Sequence, residues 1–355
     1  TTAGTITVNL PAGAAGSIVS LADYAATWQT NNVTVTPNGA EKMGGIAQDA
    51  ILNTEGQSVT LVYVDSTQGW INTMDSTSNV RGEVPFMTAT VSGACNTLTT
   101  APDCGNYKLA TFKGPGTFCV STAATCASRN IVDYLVVAGG GGGGSRSPSY
   151  GTGGAGGGGA GGFQTSYVAP ASGITITASP YAIAVGGGGA GSVIGPSTPP
   201  NTGTNGSISS FSTIPSAGGG GGGGSGSPAG SAGASGGSGG GGGSGPTVAG
   251  VAGAGNTPAT PVTQGTSGGN SVAGGYGGGS GGGHTGAGNS QPAAGGSQVG
   301  GAGTVNGISG SPTAYAGGGG SGGWPPTPQP GAAGGVGGGG NGAYCGPAST
   351  AATPG

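Results

Sequence analysis

Gly218-Gly-Gly-Gly-Gly-Gly-Gly-Ser-Gly226 and, ten residues on, Gly236-Gly-Ser-Gly-Gly-Gly-Gly-Gly-Ser-Gly245 decide how this chain folds. In a helix or a strand interior glycine costs roughly 0.5–1 kcal/mol per residue relative to alanine. Over tens of consecutive glycines that cost rules out both. What remains is the three-residue helix of the polyproline II type, which has no internal hydrogen bonds and points its N–H and C=O groups outward. Rods of this kind, packed side by side, can pair every peptide group laterally, whereas burying those groups unpaired is costly. Only glycine permits the approach, because a Cβ on an inward position would push the neighbouring rod away. Collagen is excluded by the lack of a Gly-X-Y register and by 24 Pro in 355 residues, well under the roughly 15–20% expected of it.

Working outward, only 13 of the 94 glycines precede residue 138. That shift predicts a boundary there and a three-part chain: a β-rich module over 1–77, a second β-rich connector over 78–137, and a glycine-rich domain over 138–355. The expected fold class is all-β modules followed by packed polyproline/polyglycine II rods with connecting loops, and little or no α-helix. After Arg146 there is no Lys, Arg, Asp or Glu for 209 residues, and the net charge is −3. Nucleic acid is therefore not an expected partner, since phosphate recognition needs clustered bases. No apolar run approaches the roughly 18–20 residues of a membrane span, so no membrane insertion is expected. The start at Thr1, without Met or a signal-like segment, suggests a trimmed N-terminus.

Before the boundary, Gly4-Thr-Ile-Thr-Val-Asn-Leu10, Asn32-Val-Thr-Val-Thr36 and Ser58-Val-Thr-Leu-Val-Tyr-Val64 read as short strands, β-branched or alternating and bounded by turn residues. Met43, Met74 and Met87, with Trp28 and Trp70, are expected as core or interchain packing. Cys95, Cys104, Cys119 and Cys126 fall as two close pairs, spaced nine and seven apart. They read either as two loop-closing disulfides of a protein that works outside a cell or as unpaired thiols. Metal ligation has no CxxC or histidine neighbour to support it.

The order of the N-terminal strands, followed by Gly69-Trp70, resembles a β-module of bacteriophage tail fibres. The string from Tyr107 to Val120, leading to Asp133-Tyr-Leu-Val-Val-Ala-Gly139, is similar to the lead-in to the glycine-rich domain of phage tail fibres and adhesins. Two later segments, Gly161-Gly-Phe-Gln-Thr with Gly173-Ile-Thr-Ile-Thr177, and Asn205-Gly-Ser-Ile-Ser-Ser-Phe211, agree with that family in the same order. The resemblance implies a non-enzymatic virion tail fibre acting at the host cell surface. It implies a homotrimer, attached to other tail or baseplate proteins through the N-terminal part and binding a bacterial surface glycan or outer-membrane protein.

On a rigid scaffold recognition resides in loops, and Tyr and Trp offer a flat apolar face with a polar handle. The candidate receptor-binding residues are Tyr150, Tyr315, Trp324, Pro325, Pro326 and Tyr344, with Trp324–Pro330 as the best single tip. Phe163, Tyr181 and Phe211 are expected to pack. His284, the only histidine, is expected as a solvated rod residue. General acid–base and nucleophilic mechanisms need a titratable partner, and residues 147–355 offer His284 no Asp, Glu, Lys or Arg. No catalytic residue, cofactor or metal is expected. A structural virion decoration or spacer, and an ice- or surface-binding glycine-helix protein, are the competing readings.

Overall fold

The structure is a computed structural model that describes residues 3–74, 85–100, 107–146, 153–167, 173–193, 202–292, 296–323 and 331–343. These residues are nearly all strand or irregular backbone, and their single helical element is a 3-10 turn over Ala127–Arg129. The chain divides into two compact units, one of residues 1–88, 121–131 and 175–177, the other of residues 89–120, 132–174 and 178–355.

The first unit folds because its strands alternate. β1 (Ile6–Asn9), β2 (Ile18–Ala22), β3 (Val33–Thr36), β4 (Ala50–Leu52), β5 (Ser58–Asp65) and β6 (Gly69–Met74) form two three-stranded sheets, ordered β1-β3-β4 and β2-β5-β6. β1 lies parallel to β3, with Ile6 opposite Val33. On β3 the two valines are buried and the two threonines are not. Val33, Val35, Leu52, Val59 and Leu61 close on Trp28, Met43 and Trp70 in one apolar core. Trp70 is completely buried and donates its indole N–H to Glu41 at 3.0 Å. Met43, Trp28 and Trp70 are thus core residues, whereas Met74 is 71% exposed.

Asp23 ties this unit's loops. Its carboxylate accepts from the backbone N–H groups of Thr27, Trp28 and Gly56 at 3.0, 3.0 and 3.1 Å. Desolvation would raise its pKa, but those three bonds outweigh it and hold the carboxyl below its ordinary value.

In the second part of the chain the strands are short: β7 (Thr88–Val91), β8 (Thr97–Thr100), β9 (Lys108–Thr111), β10 (Gly116–Thr122), β11 (Ile131–Val132), β12 (Leu135–Val137), β13 (Phe163–Thr165), β14 (Ile174–Thr175), β15 (Pro180–Ala184), β16 (Ser209–Phe211), β17 (Ile214–Ser216), β18 (Thr304–Asn306) and β19 (Thr313–Tyr315). The largest sheet has the order β17-β16-β15-β10-β7. Phe118, Tyr181 and Phe211 stack on it with centroid separations of 6.0–6.5 Å, so Tyr181 and Phe211 pack as expected.

Cys95, Cys119 and Cys126 are free thiols. Of the two readings left open for Cys119 and Cys126, the unpaired thiols hold: Cys119 sits on β10 opposite Pro180, while the Cys126 sulfur lies 3.1 Å from the Ser128 hydroxyl. Cys104, the expected partner of Cys95, lies outside the described residues.

Between the strands run the glycine rods, and their hydrogen bonds step by three. Gly220, Gly223 and Gly226 donate to the carbonyls of Ser238, Gly241 and Ser244 at 2.9, 2.8 and 3.2 Å, so these two rods are parallel. Gly156, Gly159 and Gly162 donate to Gly223, Gly220 and Ala217, an antiparallel pair. A three-residue step is the period of the polyproline II conformation. It also gives each rod three donor faces and three acceptor faces.

The innermost rod, 236–244, uses all six. Its amides go to Thr266 and Gly269, to Ala234 and Ser231, and to Ala160, Gly157 and Gly154, in three separate registers. Its carbonyls accept from Gly220 and Gly223, from Gly250 and Gly253, and from Gly279 and Gly282. Six neighbours around a rod is hexagonal packing of cylinders. The approach leaves no room for side chains: a Cβ on Gly220 would meet the carbonyl of Ala234, and one on Gly241 the carbonyl of Gly279. Serine enters where its hydroxyl has a partner, as when Ser238 and Ser244, both fully buried, donate to the carbonyls of Gly283 and Gly154 at 3.0 and 3.1 Å.

Candidate functional site

A rod of nine residues is about 28 Å long, so the bundle has two separate ends, and the chain builds them differently. One end carries strands. β12 leads into rod 139–144, rod 154–162 runs into β13, the β16–β17 hairpin precedes rod 218–226, and the β18–β19 hairpin precedes rod 317–323. The bonds Ala138 N to Gly162 O, Gly162 N to Ala217 O, Phe163 N to Gln264 O and His284 N to Ala316 O gather these junctions together.

The strand end is sealed by packing. Phe163, Ala160 and Ala316 form a small buried cluster, with Leu135, Val137 and Tyr315 against it. Gln264, 1% exposed, accepts from Ala217 N–H at 2.8 Å and donates to the Pro258 carbonyl at 2.8 Å. Asn256 closes the loop before it, its side-chain oxygen accepting from the Thr260 hydroxyl at 2.8 Å and the Gln264 amide at 3.2 Å. Nothing in the sequence reading marked Asn256 or Gln264. The available signal was a pair of amide side chains bracketing a Pro/Thr loop between two glycine runs.

His284 also belongs here, and it is not the solvated residue expected of it. Its ring lies on Phe163 with centroids 4.5 Å apart, and Nε2 is 3.3 Å from the Thr263 carbonyl. The other ring nitrogen, Nδ1, is buried without a partner. Burial lowers the imidazole's pKa, and the bond to the Thr263 carbonyl only partly offsets this. No carboxylate, thiol or lysine faces this ring among the described contacts, so the arrangement packs and caps. Among the described residues no group of three His, Cys, Asp or Glu side chains comes together to hold a metal ion.

The opposite end carries loops. Arg146 bridges Ser225, whose hydroxyl donates to the Gly153 carbonyl at 3.2 Å. The Ser145 and Ser192 hydroxyls meet at 3.0 Å, Gly323 bridges Gly277, and Gly323 N–H donates to the Ala343 carbonyl at 3.3 Å. Arg146, Gly153, Ser192, Gly323 and Ala343 lie beside or close to segments 147–152, 194–201, 324–330 and 344–355, so described flanks of all four segments gather at this one end.

Of the expected receptor-binding residues, Tyr150, Trp324, Pro325, Pro326 and Tyr344 lie outside the described residues, within three of those segments. Tyr315 is separated from their flanks by the length of the bundle. It is partly buried on β19, paired with Thr304, and it packs against the Phe163 cluster rather than standing in a loop.

With the two ends in view, a family model described as a glycine-rich domain matches residues 113–355, which is over half of the chain. No curated protein matches the sequence.

Proposed function

The chain belongs to the glycine-rich domain family, and we propose that it is a non-enzymatic attachment protein, a bacteriophage tail fibre that displays loops from the end of a stiff glycine-rod bundle to the host cell surface. The observation that carries this reading is the gathering of the flanks of four segments at one end of the bundle. A scaffold whose peptide groups are paired on up to six sides holds loop ends at fixed spacing, which lowers the ordering cost of binding. The absence of charge after Arg146 leaves aromatic and hydroxyl side chains as the recognition chemistry. That suits a surface glycan or the loops of an outer-membrane protein.

In this reading the N-terminal unit joins three copies and attaches them to other tail or baseplate proteins. The order of its strand sequences, similar to phage fibre modules, supports that role. Deleting Trp324–Pro330 from the fibre is expected to lower phage adsorption to host cells, measured as free particles left after mixing. Undiminished adsorption, with the isolated glycine-rich unit also failing to bind cells, would leave a spacer as the function.

A further inference from the structure

We propose that the glycine-rod bundle contains a docking slot for one further uncharged, glycine-rich polypeptide segment in the polyproline II conformation, supplied by another chain. The slot follows from the hexagonal packing. Rod 154–162 has five neighbours: its hydrogen bonds reach rods 138–144, 217–223, 238–244, 279–282 and 319–322. The sixth position, between rods 138–144 and 317–323, is filled by no rod among the described residues.

The groups facing that position are unpaired in the register such packing demands. The amides of Gly156, Gly159 and Gly162 and those of Gly157 and Ala160 have acceptors, while those of Ala155, Gly158 and Gly161 have none among the described residues. Across the gap, the carbonyls of Gly141 and Gly144 on one rod and of Gly317 and Gly320 on the other receive no donor from the described residues. Each set repeats every three residues, a rise of about 9 Å. Gly158 and Gly161 are buried, where an unmet N–H is costly.

Space tells the same story independently. In the interior rods an added Cβ would collide with backbone, but on Gly140 and Gly143 its nearest described neighbours would lie at 3.7 and 3.9 Å. These positions border the gap. Their glycines are not required by contacts within the bundle, and they leave room for an incoming backbone.

The occupant's chemistry is set by these groups. It must accept from the Ala155, Gly158 and Gly161 amides and donate to the carbonyls on both sides, so a proline-rich strand, short of N–H groups, satisfies only half. The rods themselves show how many side chains such a position tolerates. Rod 248–254, with three rod neighbours, carries two per turn, and rod 299–303, with four, carries one in Val299-Gly-Gly-Ala302. The slot borders rods 138–144, 154–162, 317–323 and 337–343, so it calls for glycine at two positions in three. No segment of this chain outside the described glycine-rich rods has that composition. Residues 347–354 have eight consecutive non-glycine residues, and 324–330 have no glycine.

The test titrates a synthetic peptide of four Gly-Gly-Ser triplets into the full chain by calorimetry, with amide NMR as the site readout. Saturable binding is expected, with the signals of Ala155, Gly158 and Gly161 shifting most. A Pro-Pro-Gly peptide of equal length should bind at least about tenfold more weakly, the equivalent of one or two lost hydrogen bonds. Gly140→Val with Gly143→Val should abolish binding while leaving the thermal midpoint unchanged, because the new side chains enter open space. Absence of binding, equal affinity for the blocked variant, or binding that emerges only after residues 344–355 are removed would each overturn the proposal, the last by giving the slot to the chain's own terminus.

Discussion

Trp70 in the first unit and Ser238 in the second are both completely buried, yet they are held by different physics. Around Trp70 are Leu61, Met43, Val33 and Val35, and burial of such side chains contributes about 1.5–3 kcal/mol each through the hydrophobic effect. Around Ser238 there is almost no apolar side chain. Its neighbours are peptide groups, each pair contributing about 0.5–1.5 kcal/mol net, and the total comes from number and lateral density. One region excludes water with side chains and tolerates variation in its backbone spacing. The other excludes water with backbone and tolerates almost no side chain.

This contrast can be broken by experiment, and the largest test is Leu61→Ala. Deleting a fully buried leucine is expected to cost about 2–5 kcal/mol, read by denaturant unfolding of the first unit's tryptophans, with the second unit's melting unaffected. Gly241→Ala adds a single methyl against the Gly279 carbonyl and is expected to cost the second unit about 1–3 kcal/mol. Gly187→Ala, where a Cβ meets nothing within 4 Å, should be neutral by the same thermal melt. Equal melting temperatures for these two variants would show that lateral rod contact does not govern the fold.

Calorimetry sharpens the comparison. Unfolding of the second unit exposes little apolar area, so its heat-capacity change should fall below the usual value of about 12–15 cal/mol/K per residue, while the first unit should reach it. Ser238→Ala removes the hydroxyl's bond to the Gly283 carbonyl, which still accepts from the N–H and hydroxyl of Thr266, so the expected loss is small, about 0.5–1 kcal/mol.

The smallest effects separate the units by pH. His284 has its pKa lowered in the folded state, so the unfolded chain binds the proton more readily. Its contribution is intact above about pH 6.5 and is lost as pH falls through the folded-state value. Asp23 is likewise lowered, so its contribution to the first unit is present above about pH 4 and is lost below. His284→Phe and Asp23→Asn should each flatten one of these two steps in a plot of melting temperature against pH. A first unit that responds to the His284 change would contradict the assignment.

The sequence was most legible where composition alone forces an outcome. The strands around Val33–Thr36 and Ser58–Asp65 could be read from β-branched alternation, and the lack of helix from the glycine runs. Less legible were the sites that depend on which rods become neighbours. Tyr315 looked like a loop aromatic because Pro312 and Ser311 precede it, but it ends the second strand of a hairpin, opposite Thr304, and packs against the Phe163 cluster. His284 looked solvated because glycine surrounds it in sequence, and it is half-buried because Phe163, 121 positions away, lies against it. The Cys119 and Cys126 spacing left a loop-closing disulfide and unpaired thiols equally open, and the structure has the thiols free.

What the sequence determined by itself is the absence of side chains: a run such as 236–245 can pair only through its peptide groups, and that follows from glycine having no Cβ. What only the tertiary structure decided is which rod receives each face, hence which carbonyls are filled, which end gathers the loop flanks, and where, among the described residues, a sixth neighbour is missing. Identical glycine runs have no local code for choosing partners. Partner choice rests on the residues that differ from glycine: Phe163, Asn256, Gln264 and the short hairpins at the rod ends, and the serines whose hydroxyls reach particular carbonyls within the rods.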